Sequence, residues 1–227
     1  MSLKQSFDVH IGTHLESLKL MRNGVPSGLQ EQLGEVSAIL ATYDAALAKI
    51  ENNTHLTTAG KASQIKDARH AALAAVQQWK ASRTTGIDAQ TAAKRDALQT
   101  QADQALPAPT ELQVGNMVQR LSAFNPLEVS ILYSDATDAE RRVIEAAAEA
   151  IGRQPRRVTL SGGEQVVWEH LLDPERIAVG RESRMERTNP EGVTALRDLH
   201  RIRDTYDTLA GTAAGLLRDS VSMVAAT

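Results

Sequence analysis

Apolar residues fall at Leu29, Leu33, Val36, Leu40, Tyr43, Leu47 and Ile50, in steps that alternate between four and three. That spacing runs one apolar stripe along a helix, and the stripe must lie against another helix to be buried. A polar break, Asn52-Asn53-Thr54-His55, follows, and a second stripe then runs from Ile65 through Ala68, Ala72, Val76 and Trp79. Together they predict a long antiparallel helical hairpin with Leu33, Leu40, Leu47 and Trp79 along its seam. The first arm, Leu29 to Glu51, would be ~34 Å long at ~1.5 Å per residue.

The second arm starts near Thr58 and reaches Arg83. Thr84-Thr85-Gly86 reads as an interruption, with Asp88 restarting a polar, alanine-rich helix to Ala105. A break there makes the two arms similar in length. Alanine favours helix but buries little area per residue. The thinly lined seam is therefore expected to be completed by the C-terminal helix or by another copy of the chain. Upstream, Phe7, Ile11, Leu15 and Leu18 predict a short amphipathic helix over roughly residues 3–22. Asn23-Gly24-Val25-Pro26-Ser27-Gly28 breaks it.

Leu106-Pro107-Ala108-Pro109 reads as a linker, because its two prolines restrict the chain to extended conformations. It divides an N-terminal helical hairpin region, 1–107, from a C-terminal helical region, 108–227. The second region repeats helix-start signals. Asn125-Pro126-Leu127-Glu128 offers a cap, a proline at the first helical position and a glutamate at the third. Thr137-Asp138-Ala139-Glu140 opens a helix to Ile151, with Gly152 as its C-cap. Ser161-Gly162-Gly163-Glu164 reads as a box opening a helix through Trp168 to Leu172. Asp173-Pro174-Glu175 and Asn189-Pro190-Glu191 each open one more. The last helix carries Leu199, Ile202, Tyr206, Leu209, Ala213 and Leu216 at steps of three and four. A rival reading makes Val129–Tyr133 and Arg157–Leu160 strands of a βαβ unit, which would leave a sheet of too few strands to be stable alone.

The fold class expected is all-α: a long antiparallel hairpin, a bundle of shorter helices and a long C-terminal helix. Aromatics make up only 3% of the chain, which points to elongated helices with thin cores that self-associate or dock. Net charge is −3, giving no global attraction to nucleic acid or anionic membranes. The chain contains no cysteine, so disulfides and thiolate metal sites are excluded. No run approaches the ~18 apolar residues of a membrane span. Asp8 and Glu16 occupy a stretch that would be apolar in a signal peptide, so synthesis in the host cytoplasm is expected.

Leu160-Ser161-Gly162-Gly163-Glu164-Gln165 resembles the signature motif of ABC-type ATPases, whose serine and glycine backbone at a helix N-terminus contact a nucleotide γ-phosphate. That family also needs a GxxxxGK[ST] loop. The only Gly-Lys pair here, Gly60-Lys61, is followed by Ala62, and His55 stands where the first glycine belongs. The simpler reading is a capping box. His10 and His14, four apart, would share one face of a helix, as metal ligands can. No third ligand accompanies them, so they read as the edge of an interface. Arg153, Arg156 and Arg157, followed by Arg176, Arg181, Arg184 and Arg187, could meet a phosphate backbone. Glu175, Glu182 and Glu186 lie within helical reach of those arginines, so ion pairing along the helix face is the stronger expectation.

No arrangement of nucleophile, base and orienting group stands out, and no catalytic residue, cofactor or metal site is assigned. The residues expected to carry partner contacts are Leu33, Leu40, Leu47, Trp79, Trp168, Leu199, Tyr206 and Leu209. Leu56-Thr57-Thr58-Ala59-Gly60-Lys61-Ala62, Trp168-Glu169-His170-Leu171-Leu172-Asp173-Pro174-Glu175 and the stretch 198–209 are similar to segments of helical proteins encoded by tailed bacteriophages. That resemblance implies a virion structural or accessory component. The expected function is a non-enzymatic helical assembly protein whose partners are other protein subunits, as a homo-oligomer or with virion proteins. A nucleic-acid-associated factor using the arginine surface is the alternative, and no membrane partner is expected.

Overall fold

The computed structural model describes residues 2–19, 29–160 and 163–224. It is all-α, with one two-stranded β-hairpin as the exception. Among the described residues no helix is long and apolar enough to cross a membrane. The chain forms two compact units, one of Met1–Thr91 with Asp198–Thr227 and one of Ala92–Arg197.

The first unit is built from α1 (Leu3–Lys19), α2 (Leu29–Glu51), the first part of α3 (Thr58–Gln104) and the last part of α8 (Pro190–Val224). Phe7 and Ile11 of α1, Val36, Leu40 and Tyr43 of α2, and Ala72, Val76 and Trp79 of α3 share one core with Tyr206, Leu209, Ala210, Ala213 and Leu217 of α8. The seam left thin by alanine is thus completed by the C-terminal helix. The buried line on that helix ends at Leu217 rather than at Leu216, which is only partly buried. The 3.6-residue turn makes the stripe drift over three turns. Trp79 and Tyr206 meet edge to face at 5.7 Å and 81°, a favoured aromatic geometry. The Trp79 indole donates to Glu35 Oε2 at 2.7 Å, and Arg83 pairs with the same carboxylate. Those two hydrogen bonds, Trp79 first, hold the Glu35 carboxyl below its usual range.

The interruption expected at Thr84-Thr85-Gly86 is absent: α3 runs unbroken for 47 residues, so it is not an arm matched to the 23-residue α2. The threonine hydroxyls, which compete with helix elsewhere, fold back onto it instead. Thr84 Oγ1 donates to the Lys80 carbonyl at 3.1 Å and Thr85 Oγ1 to the Ala81 carbonyl at 2.7 Å. Ile87 packs against the core one turn on and keeps the helix anchored. The breaker expected at residues 23–28 lies outside the described residues.

The second unit contains the end of α3, then α4 (Glu111–Leu121), α5 (Pro126–Asp135), α6 (Asp138–Ile151), β1 (Arg153–Leu160), β2 (Gly163–His170), α7 (Pro174–Thr188) and the start of α8. Leu106–Pro109 is a non-helical connection, gripped by Arg142 Nη1 through the carbonyls of Asp103, Leu106 and Pro107 at 2.8, 3.0 and 3.1 Å. The helix starts follow their sequence signals. Asn125, Thr137 and Asp173 accept from the first backbone N–H groups of α5, α6 and α7, and the first two form complete capping boxes. Gly152 ends α6 with φ at 71°, which glycine alone adopts freely. Leu121, Val129, Tyr133, Ile144, Ala147, Leu171 and Leu172 form the main core. Leu98, Ala102, Met185, Val193 and Leu196 form a smaller one.

The helix expected to open at Ser161 and run through Trp168 is instead the hairpin. Ser161 and Gly162 lie outside the described residues, and Gly163 begins a strand paired antiparallel with β1 from Leu160↔Gly163 to Arg153↔His170. Pro155 disfavours helix on one side, and Val158-Thr159 and Val166-Val167-Trp168 supply the β-branched and aromatic residues of a pleated surface. Of the rival reading, Arg157–Leu160 is a strand, within β1, but 129–133 is helical, within α5, so the described residues hold no βαβ unit.

Candidate interaction surface

Three helices of the second unit converge on one carboxylate. Arg184 of α7 forks onto Glu145 of α6, with Nη1 to Oε1 at 2.8 Å and Nη2 to Oε2 at 2.9 Å. Tyr133 of α5 donates to Oε1 at 2.7 Å, and Arg181 reaches Oε2 at 3.3 Å. Arg184 is 2% exposed and Glu145 7%. Charges so far from water are tolerated only when paired and hydrogen-bonded. Burial, then the Glu145 hydrogen bond, pushes the Tyr133 phenol up to about 12. Burial acts most strongly, against the Arg184 charge, but the hydrogen bonding and charge of Glu145, with a smaller share from Tyr133, together outweigh it and its pKa is raised. Both carboxylate oxygens are occupied by donors, so the cluster acts as a pin between α5, α6 and α7.

The pin needs a glycine. A Cβ at Gly180 would stand 2.0 Å from the Tyr133 hydroxyl and 2.9 Å from its ring carbon Cζ. None of Tyr133, Glu145 or Gly180 stands out by spacing alone. The available signal was an isolated glycine inside a helical pattern, which marks close packing.

The arginines of α7 are committed within the unit. Arg176 donates to the Ser130 carbonyl and to Ser134 Oγ at 3.4 and 3.1 Å. Arg187 grips Asp138 of α6 with Nε to Oδ2 at 3.0 Å. The ion pairing expected along one helix face therefore runs mostly between helices. Glu182 and Glu186, the nearby acids on α7, pair with Arg197 of α8 at 3.1 and 2.8 Å. The carboxylates of α6 and the Arg197 guanidinium of α8 offered fixed partners, whereas pairs along a solvated helix contribute little.

Most of the residues expected to carry partner contacts lie inside the first unit's own core. Leu40, Trp79, Tyr206 and Leu209 are buried, and Leu33 and Leu47 are partly buried against them. Leu199 is partly buried on α8. Trp168 is different: it is 60% exposed. In the ladder it stands directly opposite Pro155, with Val166 opposite Arg157 and His170 opposite Arg153. Directly paired residues share a sheet face, so one face of the hairpin presents Arg153, Pro155, Val166, Trp168 and His170. All five are exposed, Val166 at 59%. Arg153 Nε donates to His170 Nε2 at 3.1 Å. Each strand's main neighbour is the other strand.

Of the two spaced histidines, His10 is exposed and its Nδ1 lies 2.8 Å from the Ser6 carbonyl of its own helix. The His14 side chain lies outside the described residues. With Gly163 in a strand, no helix N-terminus follows the Ser161 motif, and the resemblance to a nucleotide-contacting signature loses the geometry that gave it meaning. No protein-family model, curated protein or solved structure matches the chain.

Proposed function

We propose that this chain is a non-enzymatic helical assembly protein, a structural or accessory component of a tailed-phage particle in its head, neck or tail, and that it docks through the hairpin face bearing Val166 and Trp168. The observation that carries the docking part is the exposure of Trp168, 60%, beside Val166 and Pro155 on a hairpin whose strands mainly contact one another. A tryptophan buries roughly 150–250 Å² when covered, and a two-stranded hairpin alone is marginal in water. Covering this face therefore stabilises both the contact and the hairpin. The seam of the first unit is filled from within that unit, which shifts the expected contacts from Leu33, Leu40, Leu47 and Leu209 to Trp168. The particle setting rests on the similarity of residues 56–62, 168–175 and 198–209 to helical phage proteins.

The test is a mass-spectrometric inventory of purified particles from the phage that encodes the chain. The chain is expected at stoichiometric abundance, and its absence from particles would overturn the virion assignment. The nucleic-acid reading retains one specific support, Arg153 and Trp168 on one exposed face. The α7 arginines that would have extended it are already paired with Glu145, Asp138 or α5.

A further inference from the structure

The second unit carries one other exposed apolar row among its described residues. Leu127 and Ile131 of α5 are 68% and 55% exposed and stand four residues apart, and Asp135 continues the line by four more. Residues at that spacing share a helix face, so α5 presents two apolar side chains and then a carboxylate. Asp135 is exposed and has no cation partner among the described residues. Arg141 and Arg176 reach the same end of α5 but bond to Tyr133, Ser130 and Ser134 instead. Leu112 of α4 and Val179 of α7 are exposed too, but neither has an exposed apolar neighbour one turn away.

The hairpin face carries a matching row. Val166 and Trp168 lead to His170, with Arg153 directly opposite it. Arg153 is exposed, and its guanidinium contacts His170 but no carboxylate among the described residues. The pitch of the two rows agrees as well. Four residues of helix rise about 6 Å, and two residues of strand rise about 6.5 Å.

From this match we infer that the hairpin face docks on α5 of a second copy of this chain. Val166 lies against Leu127 of the partner subunit, Trp168 against the partner's Ile131, and Arg153 against the partner's Asp135. The inference rests on the docking reading above and names the occupant of that surface. Both exposed apolar rows of the unit are covered by the one contact. Charge fixes its direction more than its affinity. Reversed, Arg153 would fall beyond the start of α5 at Pro126, where a helix terminus is itself partly positive. The two patches differ, so the contact is head-to-tail. Each copy offers one hairpin and one α5, and copies add in series, closing into a ring where the rotation allows. A single-stranded nucleic acid stacked on Trp168 would use one aromatic ring and one guanidinium, and would leave Leu127 and Ile131 exposed.

The chain contains no cysteine, so introduced thiols report the two sides separately. Leu127→Cys and Val166→Cys each mark one side and leave Trp168, Ile131, Arg153 and Asp135 in place. An equal mixture of the two variants, treated with a short bis-maleimide, is expected to give a cross-linked dimer holding one copy of each. Its formation should be roughly tenfold or more faster than cross-linking of either variant alone, because docking holds the unlike thiols together. Charge reversal is an independent check at two exposed positions. Asp135→Arg and Arg153→Glu are each expected to weaken self-association by about tenfold or more in sedimentation velocity. Mixing the two should restore it, since the reversed charges then face each other. Cross-linking no faster in the mixture than in the single variants, or no recovery on mixing the charge variants, would overturn the inference. Salt-sensitive binding of a single-stranded oligonucleotide, lost in Trp168→Lys while the thiol mixture stays uncross-linked, would also overturn it. If the mixture fails to cross-link but Trp168→Lys is excluded from particles, the second copy falls as occupant and the docking surface stands. Incorporation of Trp168→Lys at the wild-type level would overturn the docking reading itself.

Discussion

Arg184 and Glu145 meet through two near-parallel hydrogen bonds of 2.8 and 2.9 Å while 2% and 7% exposed. Removing one partner of such a pair strands the other charge, at a cost of about 3–5 kcal/mol. Glu145→Ala is expected at that level in urea unfolding, since it frees Arg184 and Tyr133 together. Arg184→Met with Glu145→Leu is expected to recover much of the loss, because an apolar pair of similar volume removes the desolvation cost. A double variant as unstable as Glu145→Ala would contradict the pin.

Tyr133 gives the same cluster a signature in pH. The folded phenol keeps its proton to about 12, whereas an unfolded tyrosine releases it near about 10. Its contribution is complete below the unfolded value and is lost as pH rises through the folded one. Between them stability falls by up to about 1.4 kcal/mol per pH unit. Urea melts from pH 9 to pH 12 are expected to show this slope in wild type and less of it in Tyr133→Phe. Equal slopes would mean that the phenol titrates normally.

Gly180 tests the approach of α7 to α5. Alanine is ordinarily the better helix former by about 1 kcal/mol, but here its Cβ would lie 2.0 Å from the Tyr133 hydroxyl. Gly180→Ala is expected to destabilise by about 1–3 kcal/mol, the range for overpacking. Adding Tyr133→Phe should relieve part of the clash. A calorimetric melting temperature raised by Gly180→Ala would contradict the packing.

Gly86 is the opposite case. It lies inside α3, exposed, with nothing within 4 Å of an added Cβ. Gly86→Ala is expected to stabilise by about 0.5–1 kcal/mol. A loss of stability on thermal melting would restore the helix break that Thr84-Thr85-Gly86 suggests in the sequence.

What the sequence made legible was local and periodic. The step pattern from Leu33 to Leu47 and the caps at Asn125, Thr137 and Asp173 each encode their outcome within a few residues, and the structure follows them. Thr84-Thr85-Gly86 misled because a threonine hydroxyl can break a helix or bond back along it, and core packing at Ile87 decides which. The hairpin was hidden for a related reason. Ser161-Gly162-Gly163-Glu164 has the letters of a capping box, but a glycine pair between β-branched runs serves a strand reversal equally well. That misreading placed Trp168 on a helix and concealed the exposed face it shares with Val166. The pin was hidden differently: Tyr133, Glu145 and Arg184 come together only through the packing of three helices, and no spacing in the chain announces it.

The most direct measurement of the docking surface is sedimentation velocity of wild type and Trp168→Lys over the same concentration series. Wild type is expected to show a faster species that grows with concentration, and Trp168→Lys a single slower boundary at unchanged helix content. Identical boundaries for the two proteins at every concentration would contradict docking of this face between copies of the chain.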